Sequence, residues 1–290
     1  MAEADLAGEP RRRSVQCASP KGLHRMAYLE WGDARNPEVL VCVHGLTRTG
    51  RDFDELARAL CGRFRIVCPD VAGRGESEWL PDPMLYGVPQ YAADMVTLIA
   101  RLDVEAVSWV GTSMGGLIGM ALAAQAGSPV RRMVLNDVGP VITKASLDRI
   151  ASYVGKAPTF AAVEDAERYI RTISAPFGPH SDAQWRFLTE TWLRRNDDGT
   201  WRAHYDPRIG EPRLVPEKDI ELWSLYDAVR CPTLLMRGEL SDLLTRETAA
   251  EMAKRGPRAK VVEIRGVGHA PTLLHADQIA VVRDFLLQGS

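Results

Sequence analysis

The stretch Ala106-Val-Ser-Trp-Val-Gly111-Thr-Ser113-Met-Gly115-Gly116-Leu-Ile-Gly-Met120-Ala-Leu122 decides the fold. Its first half is a run of apolar residues that predicts a buried strand ending at Gly111. Leu117, Ile118, Met120, Ala121 and Leu122 then predict a helix. Residues 106–130 carry no charge, which is long enough to suggest a membrane span. However, Gly111, Thr112, Ser113, Gly115 and Gly116 interrupt that run, and a central parallel strand followed by a buried helix has the same uncharged character. Gly111-x-Ser113-x-Gly115 sits at the junction. With 24 glycines in 290 residues, the bare pattern arises by chance in about one such chain in ten, and its strand-turn-helix setting is what makes it informative. Such a turn has no room for side chains at the two glycines. It holds the serine at a strained backbone angle with its hydroxyl above the sheet. A plain glycine-rich turn between strand and helix is the competing reading.

The same alternation extends in both directions. From residue 23, strands are expected over 24–31, 38–43, 64–69, 106–110, 131–136, 231–237 and 259–264, and helices over 51–61, 90–102, 115–126, 246–255 and 276–287. Strand and helix in turn, with Gly, Pro or Asp at most of the connections, indicate a mostly parallel sheet covered on both faces. The pattern breaks between about residues 141 and 229, where no run reads as a buried strand. Amphipathic segments 145–155, 160–174, 181–195 and 217–228 predict helices there, and Trp185, Trp192, Trp201 and Trp223 fall among them. A helical, aromatic-rich insert between two strands is more economically a lid than a separate domain. The expected organisation is a polar leader over 1–20, a core from 21–140 and 230–290, and a lid over 141–229.

Composition narrows the function. The 46% apolar and 26% charged fractions are those of an ordinary globular protein, and a net charge of −2 gives no general attraction to nucleic acid or to anionic membrane. The basic run Arg11 to Arg13 reads as solvated. Cys17, Cys42, Cys61, Cys68 and Cys231 form no Cys-x-x-Cys pair and no metal spacing, so they read as reduced core thiols of a cytoplasmic protein. The leader has no apolar segment behind its arginines and is therefore not expected to be a secretory signal.

Four further motifs stand in order around Ser113: His44-Gly45 after a strand, Asp70-Val-Ala-Gly73-Arg-Gly75-Glu-Ser77 after the next, Asp242 after Leu-Met-Arg-Gly-Glu, and Gly266-Val-Gly-His269. With these the sequence resembles the α/β-hydrolase superfamily from about residue 20 to 288, in particular bacterial carboxylesterases and meta-cleavage-product hydrolases. The resemblance implies an α/β-hydrolase fold with a mostly parallel eight-stranded sheet, helices on both faces and a helical lid. It also implies a serine nucleophile at Ser113, which needs a base to take its proton. Of the six histidines, His269 lies where this family keeps its base, while the His44-Gly45 pair shapes the oxyanion loop. A carboxylate must orient the imidazole. Asp242 and Asp137 both keep the order Ser, Asp, His. Asp242 is the expected acid, with Asp137 as a turn or lid-hinge residue and the alternative. The resemblance further implies backbone N–H donors at Leu46 and Met114 for the oxyanion.

These residues predict cleavage of a carboxylic ester with a partly apolar acyl group through an acyl-enzyme on Ser113, with no cofactor, no metal, and neither nucleic acid nor membrane as partner. A carbon–carbon hydrolase or lactonase with the same three residues is the alternative. However, His44-Gly-Leu-Thr-Arg-Thr-Gly50 and the Ala-Pro pair after His269 depart from the carbon–carbon hydrolase pattern. A small-molecule receptor with residual turnover is the alternative of another class. Arg186, Arg194 and Arg195 suit a substrate carboxylate and a solvated helix face equally well.

Overall fold

Five consecutive fully buried residues, Val39–Val43, form one of the central strands, and the sheet is built around them. The computed structural model describes residues 8–156, 158–212 and 218–288. Its main sheet contains β1 (Arg11–Ser19), β2 (Gly22–Trp31), β3 (Val39–Val43), β4 (Arg65–Pro69), β5 (Val107–Thr112), β6 (Val130–Asn136), β7 (Thr233–Gly238) and β8 (Lys260–Ile264). The spatial order is β1-β2-β4-β3-β5-β6-β7-β8. The pairs β1–β2 and β2–β4 are antiparallel, and every other pair is parallel. The seven expected strands are all present, with ends shifted by at most two residues.

Side chains alternate between two cores, as the pleat requires. On one face Val39, Val41, Val43, Val107, Trp109, Met133 and Leu135 pack against α2 (Val88–Arg101), α3 (Met114–Ala123) and α8 (Arg246–Met252). On the other, Leu40, Cys42, Val110, Val134, Leu234 and Met236 meet α1 (Asp54–Leu60) and α9 (Ala276–Leu286). Because both faces are covered, these strands read as continuous apolar runs. Residues 106–130 are thus a buried strand and helix. Among the described residues, no helix is long and apolar enough to cross a membrane.

Two expectations are corrected here. The leader expected over 1–20 is, from residue 11, an edge strand, while residues 1–7 lie outside the described residues. β1 pairs with β2 along its whole length, from Arg11 opposite Glu30 to Ser19 opposite Gly22. Its inward positions Val15 and Cys17 are buried. Arg11 and Arg13 are not simply solvated. Both contact the buried carboxylate of Glu30, which Arg65 also holds at 2.6 Å. Burial opposes the charge on Glu30, but hydrogen bonds and attraction from Arg65 and Arg11 outweigh it and keep its carboxyl below the usual range. The strand escaped notice because three consecutive arginines mask its period-2 pattern. The hairpin is pinned to α2 by His24, whose Nε2 lies 3.0 Å from buried Asp94.

The second correction concerns the insert between β6 and β7. It adds no strand to the main sheet, but it is not wholly helical. Helices α4 (Lys144–Ala151), α5 (Val163–Ile173), α6 (Asp182–Glu190) and α7 (Trp223–Ala228) are shorter than expected. Thr159–Phe160, Trp201–Ala203 and Leu193–Arg195 form a small antiparallel sheet, and Val141–Ile142 pairs with Ile220–Glu221. The expected helix 181–195 stops at Glu190 because Asn196-Asp-Asp-Gly199 makes a hairpin turn. There Asn196 N–H donates to Thr200 O at 2.7 Å and Gly199 has a φ of +86°. The first residue of the expected helix 217–228 lies outside the described residues.

The turn after β5 is as tight as its glycines imply. A Cβ on Gly115 would stand 1.9 Å from Val43 O, and one on Gly111 would stand 2.3 Å from Gly115 O. Both obstacles are backbone, so nothing flexible can yield. Gly115→Ala is expected to lower stability by about 1–3 kcal/mol, measured as a shift in the urea midpoint. A variant as stable as the parent would show that β3 and the turn separate freely.

Candidate active site

Ser113 sits between β5 and α3 with φ +52° and ψ −115°, a conformation that an L-residue adopts only when its surroundings enforce it. Those surroundings are specific. Ser113 N–H donates to Asn136 O at 3.0 Å, Gly116 N–H donates to Ser113 O at 2.9 Å, and Trp109 Nε1 donates to Gly115 O at 3.0 Å. The serine hydroxyl is thereby presented at the carboxyl edge of the sheet, the usual place for a site in such a fold.

His269 follows β8 and Gly268, and its ring bridges two partners. Nε2 lies 2.9 Å from Ser113 Oγ, and Nδ1 lies 2.7 Å from Asp137 Oδ2. The structure therefore corrects the expected acid. Asp242 does not touch His269. It is half exposed and ion-paired at 2.6 Å with Arg149 of α4. Asp137 is fully buried at the end of β6 with φ +56°. Its Oδ1 accepts Gly238 N–H at 2.8 Å, and its Oδ2 accepts the Ser241 hydroxyl at 2.7 Å as well as His269. The loop after β7, where the acid was expected, thus supplies donors to the carboxylate in place of a carboxylate of its own. Both aspartates satisfy the chain order, and only the left-handed turn at Asp137 brings a carboxylate under the imidazole.

His44 is fully buried; Nδ1 is 2.7 Å from Gly45 O, and Nε2 accepts Val71 N–H at 2.9 Å. With Nε2 accepting, Nδ1 carries the proton and the ring is neutral. Burial pushes its pKa down to about 3, against the raising effect of its bond to Gly45. Because a trans peptide sets C=O and N–H on opposite sides, holding Gly45 O towards His44 directs the Leu46 N–H away from it. Gly45 itself lies against Ser113, where an added Cβ would be 3.7 Å from Ser113 Cβ. Met114 N–H opens α3, among the donors that have no carbonyl within their own helix. Leu46 lines the same cavity as Ser113, and Met114 follows Ser113 directly. Arg74, assigned no role from the sequence, reaches both Leu46 and Met114. Fully buried, it donates to Leu46 O at 2.9 Å and lies 3.8 Å from Met114 Sδ. Asn136 was missed too; its Nδ2 donates to Pro271 O at 2.8 Å and to Thr112 Oγ1 at 3.0 Å.

The insert closes over this floor. Arg48 bonds Leu188 O at 2.9 Å while held by Asp52, Gly268 N–H donates to Pro176 O at 2.6 Å, and His180 Nε2 is 2.8 Å from Thr272 Oγ1. Ser113 and His269 form the base of a cavity of about 110 Å³ whose walls include Ile150, Tyr153, Ile170, Phe177 and Trp192. Of the four insert tryptophans, only Trp192 lines it; Trp185 instead packs at a tilt against His180. Chemically, the arrangement can move a proton from Ser113 to His269 while Asp137 balances the resulting charge.

The model of the alpha/beta hydrolase fold matches residues 38–276. The chain belongs to the α/β-hydrolase family. This hydrolase is 54% identical over 289 residues to a 3-hydroxybutyrate-oligomer hydrolase of Cupriavidus necator, spanning 97% of this chain and 99% of that protein. It is 25% identical over 239 residues to esterase YbfF of Escherichia coli, covering 81% and 87% of the two chains. A solved α/β hydrolase from Novosphingobium aromaticivorans superposes with a TM-score of 0.86 at 37% identity, over 96% of this chain and 98% of that one.

Two outcomes follow from this geometry. Asp137→Asn is expected to lower kcat by about 10⁴, while Asp242→Asn costs less than tenfold, measured by steady-state kinetics on one ester substrate. A larger loss at Asp242 would mean that the carboxylates exchange roles in turnover. His44 gives the second. Its folded pKa is depressed below the ordinary 6.5, so its stabilising contribution is present above pH 6.5 and is lost as pH falls towards 3. In urea titrations over that window, His44→Gln should flatten the fall in stability by up to about 1.4 kcal/mol per pH unit. An unchanged slope would show that His44 does not titrate on unfolding.

Proposed function

We propose that this hydrolase is a serine esterase whose substrates are short hydroxyacid oligoesters. The observation that carries the reading is the aligned chain Asp137–His269–Ser113 on the floor of a cavity covered by the insert, with hydrogen bonds of 2.7 and 2.9 Å. The likeness to a 3-hydroxybutyrate-oligomer hydrolase over nearly the whole chain supports the substrate class.

In this reading Ser113 Oγ attacks the ester carbonyl as its proton passes to His269 Nε2, and Asp137 stabilises the imidazolium. Negative charge on the carbonyl oxygen is met by the N–H groups of Leu46 and Met114, each worth about 10²–10³ in rate. His269 then returns the proton to the leaving alkoxide, and the acyl-enzyme forms. Water, deprotonated by the same ring, releases the acid and restores Ser113. The insert, residues 141–229, is the lid: it covers the cavity and supplies most of its apolar wall. The reaction consumes one ester and one water and needs no cofactor.

Ser113→Ala is expected to retain less than 0.1% of activity, the order of loss when a triad serine is removed, with an unchanged circular dichroism spectrum. Set against a panel of simple p-nitrophenyl acyl esters and lactones, 3-hydroxybutyrate dimers and trimers should show the highest kcat/KM. Rapid turnover of lactones with inert oligomers would overturn the substrate class, and a residual activity of several per cent in the alanine variant would overturn the nucleophile.

A further inference from the structure

The cavity above Ser113 is largely apolar, and the two cations in its wall are placed very differently. Arg48 is spent: its guanidinium is gripped by both oxygens of Asp52, with the shortest contact 2.6 Å, and by Leu188 O and Thr191 Oγ1 at 2.9 and 3.2 Å. Arg149, on α4, is not locked in this way. It shares the cavity wall with Tyr153, whose hydroxyl feels its positive charge, and among the described residues its carboxylate partner is Asp242. Asp242 is 51% exposed and stands outside the cavity wall, so water can take over its charge when the arginine turns inward. A partly exposed ion pair of this kind contributes little stability, so exchanging Asp242 for a ligand carboxylate costs little. By contrast Arg186, Arg194 and Arg195 are not in the cavity wall, and Arg186 is held by Glu164, Glu167 and Glu190.

We propose that Arg149, with the Tyr153 hydroxyl beside it, is a carboxylate subsite that holds the free acid end of the substrate on the leaving-alcohol side of the scissile bond, with Asp242 occupying the guanidinium between turnovers. The proposal rests on the hydroxyacid-oligoester reading above. The chemistry of such an oligomer fixes the side. It has one free carboxylate, and that group lies on the alcohol side of every ester bond in the chain. A cation beside Ser113 therefore reads the leaving group. Held there, the terminal unit departs when the bond between the acyl carbon and the leaving oxygen breaks. His269 supplies the proton, and a free hydroxyacid is released while the rest of the oligomer remains on Ser113 until water removes it. The enzyme thus trims hydroxyacid units from the carboxyl end, and substrates with a blocked acid end lose the anchor.

The test compares a 3-hydroxybutyrate trimer with its methyl ester, which removes only the terminal charge. The parent enzyme should prefer the free acid. Arg149→Ala should reduce the ratio of kcat/KM for acid over methyl ester about ten- to a hundredfold, the range of one or two hydrogen bonds to a charged group, chiefly through KM. Arg149→Lys should restore part of the ratio, and Asp242→Asn should lower KM for the acid. A trimer labelled in its carboxyl-terminal unit should release the label first, as monomer. Equal parent kcat/KM on acid and ester, or an equal loss on both in Arg149→Ala, overturns the subsite and leaves the esterase reading intact. If the parent hydrolyses neither trimer, the substrate reading itself fails.

Discussion

The buried carboxylate of Asp137 is the constraint around which the site is arranged. A charge with no exposure is costly unless each lone pair meets a donor. Three donors from two separate loops converge on it: His269 Nδ1, the Ser241 hydroxyl and the Gly238 N–H. Each comes from the carboxyl end of the sheet, at the end of β7 or in the loops after β7 and β8. The same contacts that make the charge tolerable fix the imidazole plane and aim Nε2 at Ser113. Positioning for chemistry and compensation for burial are one set of hydrogen bonds. The cost of the site is shared locally by two residues in the left-handed region, Ser113 and Asp137, at the ends of neighbouring strands.

Those neighbouring strands explain why so much polar machinery survives in a buried position. Parallel pairing of β5 with β6 and of β6 with β7 brings Thr112 beside Asn136 and Asn136 beside Met236. Asn136 then ties three elements together: its carbonyl takes the Ser113 N–H, and its amide reaches Thr112 and the loop after His269. On the other side, His44 holds the Gly45 carbonyl and Arg74 holds the Leu46 carbonyl. A neutral imidazole and a buried guanidinium thus fix the loop after β3 as Asn136 fixes the loop after His269. Little of this polar framework faces the cavity. It sets where the few exposed atoms point.

The sequence revealed most of this where local pattern and chemistry coincide. Continuous apolar runs placed the central strands because a strand buried on both faces has no alternation to hide. Gly111-x-Ser113-x-Gly115 located the turn because a Cβ there would come as close as 1.9 Å to backbone, which glycine alone avoids. β1 was obscured because an edge strand needs only two inward residues, Val15 and Cys17, and arginines fill much of the rest. The small sheet of the insert was hidden because its strands are two or three residues long and are held by pairing instead of by burial. The choice of acid could not be read from order alone. It depended on the left-handed turn at Asp137, a residue type that tolerates such a conformation better than most. The buried Asn-Asp pair ending an apolar strand was the available signal.

The loop after β7 links the two halves of the site. Ser241 faces inward to Asp137 and also accepts the Leu243 and Leu244 N–H groups at 3.3 and 3.1 Å, so it is locked in its turn. The next residue, Asp242, points the other way and meets Arg149 on the first helix of the insert. Adjacent residues on one short turn therefore serve the buried acid and the cavity arginine separately. That division answers a geometric conflict: a carboxylate at position 242 cannot both compensate a half-buried guanidinium at the cavity and lie buried beneath His269. With the acid supplied from β6, the β7 loop is free to carry a second, replaceable charge at the cavity edge. In an apolar cavity, a replaceable partner is what a binding cation needs, since a fixed one such as Asp52 on Arg48 leaves nothing for a ligand.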